Sequence, residues 1–346
     1  MRAVIARRGS VSVETVDEPT PGPGQVLVAS RACGICGSDL HTVAAQADAP
    51  DVVPPLSLGH EFVAEVLDYG PNTERTHPVG TLVTSVPYVD TPEGPQLVGL
   101  APTLVGGLAE RFLLQESRIL AVPKDIAAPE HAALAEPLAV GAHAAAIADV
   151  QPGDVSLVVG CGPVGLAVVA SLKARGFGPV VAADFSANRR ALAERVGADV
   201  VIDPAERSPY TAWRQLAGPS LPSSPMLTAA EVPNTVVFEC VGVPGMLAAV
   251  MQEAPVHSRV VVVGVCMQPD TILPMIGTAK ELTLKFAFAY RPEEFAAALD
   301  WIATGRIDVG PLITATLPID EAATAFEALR QPDEHCKILL LPSSVT

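Results

Sequence analysis

Residues 155–165 read Val-Ser-Leu-Val-Val-Gly-Cys-Gly-Pro-Val-Gly, an apolar run that breaks into three spaced glycines. A strand that is apolar on both faces needs cover on both sides, which means a parallel sheet between helices. The spacing Gly-x-Gly-x-x-Gly carries weight only in that setting, after such a strand and before a helix, here over 164–175. Gly160 permits the tight turn, and Gly162 lets the backbone approach a pyrophosphate at the helix N-terminus. Gly165 allows close packing of helix on strand, and Pro163 and Val164 between the glycines belong to the same cofactor-binding loop. Asp184 ends a second strand over 180–183, nineteen residues beyond Gly165. A carboxylate there accepts hydrogen bonds from an adenosine ribose and repels a 2′-phosphate, which favours NAD over NADP. The plainer alternative is an aspartate that caps the following helix. Arg189 and Arg190 weaken the discrimination, because a nearby arginine accommodates a phosphate.

The alternation continues past the glycine loop, with a helix over 188–196 and strands over 200–202, 236–239 and 259–265. The segment 204–233 is rich in Pro, Ser and Ala and reads as a surface insertion between two such units. Upstream the texture differs. Short strands over 3–6, 26–29, 61–69 and 81–85 are broken by Pro and Gly, an all-β pattern whose loops carry the polar residues. After a helix over 293–304, a last strand over 337–341 reads as a return to this first part. The expectation is an α/β chain of two domains: a β-rich one over 1–147 and 291–346, and a doubly wound parallel-sheet one over 148–290.

At 346 residues the chain is long enough for two cores, and 49% hydrophobic against 17% charged residues excludes a disordered chain. A net charge of −16 with no basic block argues against nucleic acid as a partner. Arg7-Arg8 lead into Gly-Ser-Val-Ser-Val-Glu rather than an apolar run, so no export signal is read. The most apolar stretch, 132–150, is interrupted by Glu136, Pro137, His143 and Asp149 and makes no membrane span. The setting expected is cytoplasmic. Six scattered cysteines are no disulfide framework, and Cys33-x-x-Cys36 is their one close pair. A redox pair is one reading of it; the alternative is a buried Cys33 beside a metal-binding Cys36.

Cys36-Gly-Ser-Asp-Leu-His41, Gly59-His60-Glu61 and Glu136-Pro137 supply what a zinc ion needs. Cys36 and His60 are sulfur and nitrogen donors, and Glu61 and Glu136 are candidate oxygen donors. Singly, each has an ordinary reading: a satisfied structural histidine, or a glutamate at a helix start. A Lewis-acid metal and a nicotinamide cofactor in one chain point to alcohol–carbonyl redox chemistry.

The series Gly34-x-Cys36-Gly-Ser-Asp-x-His41, Gly59-His60-Glu61, Gly106-Gly-x-Ala-Glu110, Glu136-Pro137 and the glycine loop resembles the zinc-dependent medium-chain alcohol dehydrogenases, from Met1 almost to Leu341. Val237-Phe-Glu-Cys-Val-Gly242 and Lys337-Ile-Leu339 match later landmarks. The resemblance implies a GroES-like catalytic domain, a Rossmann domain and an active site in the cleft between them. It implies that Cys36 and His60 hold one catalytic zinc while Glu61 and Glu136 share its remaining positions, either one bound at rest. Asp39 would orient His60. Ser38 would take the alcohol proton and pass it through the cofactor ribose to His41, and Lys337 would lie near the pyrophosphate. Glu136-Pro137 is similar to the polyol, threonine and butanediol branch, which implies a secondary alcohol or polyol substrate and a homodimer or homotetramer. Residues 84–105 hold no cysteine, so the second, structural zinc of many relatives is not expected. Two rivals stand beside this reading: a zinc-free reductase of the same fold, and a non-catalytic NAD-binding protein.

Overall fold

The computed structural model describes residues 1–47, 53–218, 235–331 and 333–342. The chain divides into two compact units, Met1–Glu136 with Phe295–Thr346, and Pro137–Glu294.

The first unit is β-rich. Its strands are β1 (Arg2–Arg7), β2 (Ser10–Thr15), β3 (Gln25–Gly34), β4 (Leu56–Ser57), β5 (Glu61–Tyr69), β6 (Leu82–Ser85), β7 (Tyr88–Thr91), β8 (Gly94–Leu97), β9 (Arg111–Gln115) and β10 (Ile119–Ala121). A helix, α1 (Gly37–Ala45), follows β3 directly. Ser38, Asp39 and His41 therefore lie on a helix, not on the loop that the sequence pattern suggested. The cause is local: Cys36 is the N-cap, and its backbone N–H donates to Asp39 Oδ2 at 2.9 Å, so the polar residues close a capping box. The core gathers alternate residues of the strands, with Phe62 and Phe112 packed edge to face at 4.7 Å. Residues 84–105 include the β7–β8 hairpin.

The second unit begins within α2 (Ala135–Ile147), whose first two residues belong to the first unit. Its place follows from Gly141, where an added methyl would fall 2.3 Å from the Ala167 carbonyl carbon, so α2 lies backbone to backbone on the helix carrying Ala167. Next come β11 (Val155–Val159), α3 (Pro163–Ala174), β12 (Val180–Ala183), α4 (Ala187–Arg195), β13 (Val200–Ile202), α5 (Pro209–Ala217), β14 (Thr235–Glu239), α6 (Met246–Glu253), β15 (Arg259–Val262), α7 (Pro274–Lys280) and β16 (Thr283–Phe286). The six strands are parallel in the order β13-β12-β11-β14-β15-β16. The chain winds outward from β11 to β13 and returns beside β11 as β14, so the carboxyl ends of β11 and β14 flank the switch point, where such sheets bind ligands. Residues 204–217 are not a bare surface insertion. They include α5, whose Trp213 is fully buried on the sheet and donates Nε1–H to Val155 O at 2.9 Å. The rest of that segment, 219–233, lies outside the described residues.

The chain then passes through α8 (Pro292–Ala303) into β17 (Ile313–Pro318), α9 (Ala322–Ala328) and β18 (Lys337–Leu341). β18 joins the first unit's main sheet between β3 and β17, with Leu339 opposite Gly34 and Leu340 opposite Cys33. That antiparallel register carries Lys337 beyond the end of β3, toward Ile35 and Cys36. Among the described residues no helix is long and apolar enough to cross a membrane.

Candidate metal and dinucleotide sites

The metal candidates meet where β3 ends, α1 begins and β5 starts. Gly59 sets the last of these, with φ +101° and no room for a side chain: a methyl would lie 2.5 Å from Leu108 N. His60 and Glu61 follow it inward and are both buried. One donor atom each from Cys36, His60 and Glu61 lies within 4.8 Å of the others. Asp39 is fully buried, its Oδ1 3.7 Å from His60 Nδ1, and neither atom has a hydrogen-bond partner. The other ring nitrogen, Nε2, is 3.3 Å from Ser38 Oγ.

Without a metal this cluster is electrostatically uncomfortable. Burial works to lower the His60 imidazole, but the charges of Asp39, Cys36 and Glu136 outweigh it and hold its pKa well above the ordinary value. Burial likewise pushes the Asp39 carboxyl upward. Thiol, imidazole and carboxylate converge with excess negative charge, and a buried imidazole nitrogen faces a carboxylate that would orient it. These residues fit a zinc ion. Glu136, at the start of α2, is near enough for its charge to reach His60. Ser38 borders the cluster, and His41, one turn further along α1, is exposed. Cys33 is fully buried and its thiol is pushed well up, chiefly by burial, so it behaves as a small apolar residue and not as half of a redox pair.

Lys337 reaches the same cluster from β18. It is 2% exposed, and its ammonium donates to Glu61 Oε1 at 2.7 Å, Glu61 Oε2 at 2.5 Å and Ile35 O at 3.0 Å. An ammonium has three protons, and all three are taken. Burial pulls its pKa down, Glu61 more than offsets that, and the lysine is held charged. Nothing in the local sequence announces this pair, whose members are 276 residues apart.

The glycine loop lies at the end of β11 in the second unit. Gly160 has φ +91°, and a methyl there would meet Val241 Cγ2 at 2.8 Å. At Gly165 a methyl would lie 1.9 Å from Gly160 O, whereas the position at Gly162 faces open space, with Arg189 Nη1 nearest at 4.0 Å. Gly162 is the N-cap of α3, and Pro163 and Val164 are its first residues. Backbone N–H groups at an open helix start are what a pyrophosphate needs, so a dinucleotide fits.

Asp184 follows β12. It does not cap α4, a task that falls to Ser186, whose hydroxyl accepts from Arg189 N. Instead its Oδ2 accepts from Cys161 N at 2.7 Å and its Oδ1 from Ser186 N at 2.8 Å, tying it to the glycine loop. The two arginines separate. Arg190 is occupied by the Asp184 and Phe185 carbonyls and by Asp203, whereas Arg189 places Nη1 3.9 Å from Asp184 Oδ2. Across the switch point the sequence reading missed Glu239, buried at the end of β14, whose Oε1 accepts from Val241 N and Gly242 N and fixes the facing loop. A carboxylate closing a buried apolar strand is the signal that could have found it.

Comparison with known proteins agrees with this geometry. Residues 22–124 match the model of the alcohol dehydrogenase GroES-like domain, and residues 163–304 that of the zinc-binding dehydrogenases. The chain is 30% identical over 352 residues to an (R,R)-butanediol dehydrogenase of Bacillus subtilis, covering 96% of this chain and 97% of that protein. It is 30% identical over 340 residues to the sorbitol dehydrogenase of Ovis aries, covering 95% and 92%. Among solved structures, 2R,3R-butanediol dehydrogenase from Bacillus subtilis superimposes with a TM-score of 0.80 at 28% identity, covering 99% of each chain. A zinc-binding dehydrogenase from Sinorhizobium meliloti, bound to NADP, gives 0.82 at 29% identity, again over 99% of each. The chain belongs to the zinc-dependent medium-chain alcohol dehydrogenases, on the branch of the butanediol and sorbitol enzymes, and is a nicotinamide-linked oxidoreductase acting on CH–OH groups.

Proposed function

We propose that this enzyme interconverts the secondary alcohol of a small diol or polyol with its ketone, using NAD and one zinc held by Cys36, His60 and a carboxylate from Glu61 or Glu136. The observation that carries the proposal is the convergence of a thiol, an imidazole and a carboxylate beside a buried Asp39. When bound, the metal supplies Lewis acidity that brings the pKa of an oxygen ligand toward neutrality, and the cofactor accepts the hydride.

The chain's own residues do the rest. Asp39 fixes the ring orientation of His60, as metal-bound imidazoles require. Ser38, at the edge of the cluster, is placed to take the hydroxyl proton, and the exposed His41 to release it to solvent. Gly160, Gly162 and Gly165, with Pro163 and Val164, hold the pyrophosphate; Asp184 binds the ribose and Arg189 flanks it. The butanediol and sorbitol enzymes among the relatives support the substrate class. We include a homodimer or homotetramer in this reading, since β16 is the outer strand of its sheet and leaves Phe286 and Phe288 exposed for a second copy to cover. Six free thiols support a cytoplasmic setting.

Elemental analysis of purified protein, with a screen of vicinal diols and polyols under NAD, tests the proposal. One zinc per chain, lost together with turnover in Cys36→Ser while NAD still binds, is the expected result. Turnover retained by Cys36→Ser would sink it, and two zincs per chain would overturn the reading of residues 84–105.

A further inference from the structure

Glu239 closes β14 at 2% exposure, and among the described residues no lysine or arginine pairs with it. A carboxylate buried without a cation costs stability. Its hydrogen bonds show what it holds instead. Oε1 accepts from Val241 N at 2.7 Å and Gly242 N at 2.8 Å, and the Glu239 carbonyl accepts from Val263 N and Gly264 N, both at 2.8 Å. One residue thus takes four backbone N–H groups, two from the loop after β14 and two from the loop after β15. The register sets it between Val159 of β11 and Val262 of β15.

The loops that Glu239 ties meet backbone to backbone. Gly242 has φ +69°, a methyl there would lie 2.6 Å from Val265 N, and one at Gly264 would lie 2.4 Å from Gly242 N. On its other side the β14 loop meets the glycine loop. Cys240 N donates to Val159 O at 2.9 Å, and a methyl at Gly160 would lie 2.8 Å from Val241 Cγ2 and 3.2 Å from the Cys240 carbonyl carbon. Val241, Val243 and Val265 are exposed on these loops, so side-chain packing does little to hold them.

We infer that Glu239 is a positioning residue of the dinucleotide site: its side-chain hydrogen bonds lock the β14 loop, and through it the β15 loop and the seat of the glycine loop, into one unit. The inference rests on the dinucleotide reading above and adds what orders the switch-point crevice in advance. Backbone fixed before the cofactor arrives does not have to be ordered at the expense of binding.

Two variants test this. Glu239→Met keeps the length of the side chain and removes the acceptor, whereas Glu239→Gln keeps an oxygen for both N–H groups. NAD affinity is measured by titration calorimetry, and loop order by hydrogen–deuterium exchange at single amides. Glu239→Met should weaken NAD by about tenfold or more, the loss expected from one or two hydrogen bonds. Exchange should quicken at Val263 and Gly264 as well as at Val241 and Gly242, although the carbonyl that accepts from the first two is untouched. Glu239→Gln should keep NAD affinity within about threefold of wild type. NAD affinity within about twofold of wild type in Glu239→Met would overturn the inference alone, and so would quickened exchange confined to Val241 and Gly242. A loss in Glu239→Gln as large as in Glu239→Met would also overturn it, because the acceptor would then not be what matters. Wild-type protein that binds no NAD would sink the dinucleotide reading and this inference with it. Should Glu239→Met not fold, wild-type protein decides the matter. Its four N–H groups should open with equilibrium constants that agree within about threefold, and NAD should slow all four together. Constants that differ by about a hundredfold between the loops, or protection of one loop only, would refute the inference.

Discussion

Gly34→Ala isolates the packing behind the buried pair. Gly34 ends β3 without a positive φ, so alanine carries no backbone penalty there and its whole cost is steric. The new methyl would sit 2.2 Å from Glu61 Oε2 and 3.3 Å from both Glu61 Cβ and Lys337 Cδ. Ordinary contact needs about 1 Å more at the oxygen than the structure leaves. The carboxylate has little freedom to yield, because both its oxygens are held by Lys337 Nζ, itself fixed to Ile35 O. Overpacking of this kind costs about 1–3 kcal/mol. For a unit of this size each kcal/mol lowers Tm by roughly 2–4 °C, so a fall of about 2–12 °C is expected for metal-free protein. Gly37→Ala is the control, three residues on at the first position of α1, where a methyl meets nothing within 4 Å. Its change should stay within about 0.5 kcal/mol, as for surface sites generally. The reasoning is refuted if scanning calorimetry finds Gly34→Ala no less stable than Gly37→Ala.

Zinc uptake should depend on pH through His60. Burial opposes its protonation, but Asp39, Cys36 and Glu136 raise its pKa well above the ordinary value in the metal-free protein. The stability this contributes is fully present below about pH 6.5 and is lost as pH rises through the raised folded pKa. Zinc requires the neutral ring, so apparent affinity should rise by up to about tenfold per pH unit across that window, with proton release seen calorimetrically in buffers of different ionisation enthalpy. A flat profile would contradict the assignment of His60. Asp184→Asn keeps one of the two oxygens that accept backbone N–H groups and removes the charge proposed to face the ribose. The NADP-to-NAD preference should shift toward NADP by about tenfold. An unchanged ratio of dissociation constants would remove Asp184 from the ribose site.

The parallel sheet was legible because its central strands are local and buried on both faces: β11 and β12 fall where the apolar runs placed them, and β14 within one residue. α1 was not, since Gly-Ser-Asp is poor helix sequence by propensity and the helix starts on its capping box. α5 was hidden by the prolines around it; its helix signal lies in Trp213, which is apolar enough to be buried only when the sheet is there to receive it. In each case the missed element depends on a partner that a linear pattern does not display.

The same distinction runs through the candidate site. Residue types and spacing suffice to nominate Cys36, His60, Glu61 and Asp39, because a metal selects donors by chemistry and the chain supplies most of them within two short stretches. What a donor does once nominated depends on its neighbours, and those come from anywhere in the chain. Asp184 is read as a ribose ligand from its position after β12, yet in the fold its oxygens hold the Cys161 and Ser186 N–H groups, so a substitution there acts on the glycine loop too. Glu61 is read as a zinc ligand, yet β18 brings a lysine from the far end of the chain that claims both its oxygens. The strand pairing of Leu339 with Gly34 decides that meeting, and a register shift of one residue would turn Lys337 to the other face of the sheet. The surroundings of Glu61 are thus set in part by the register of an antiparallel pair far from it in sequence.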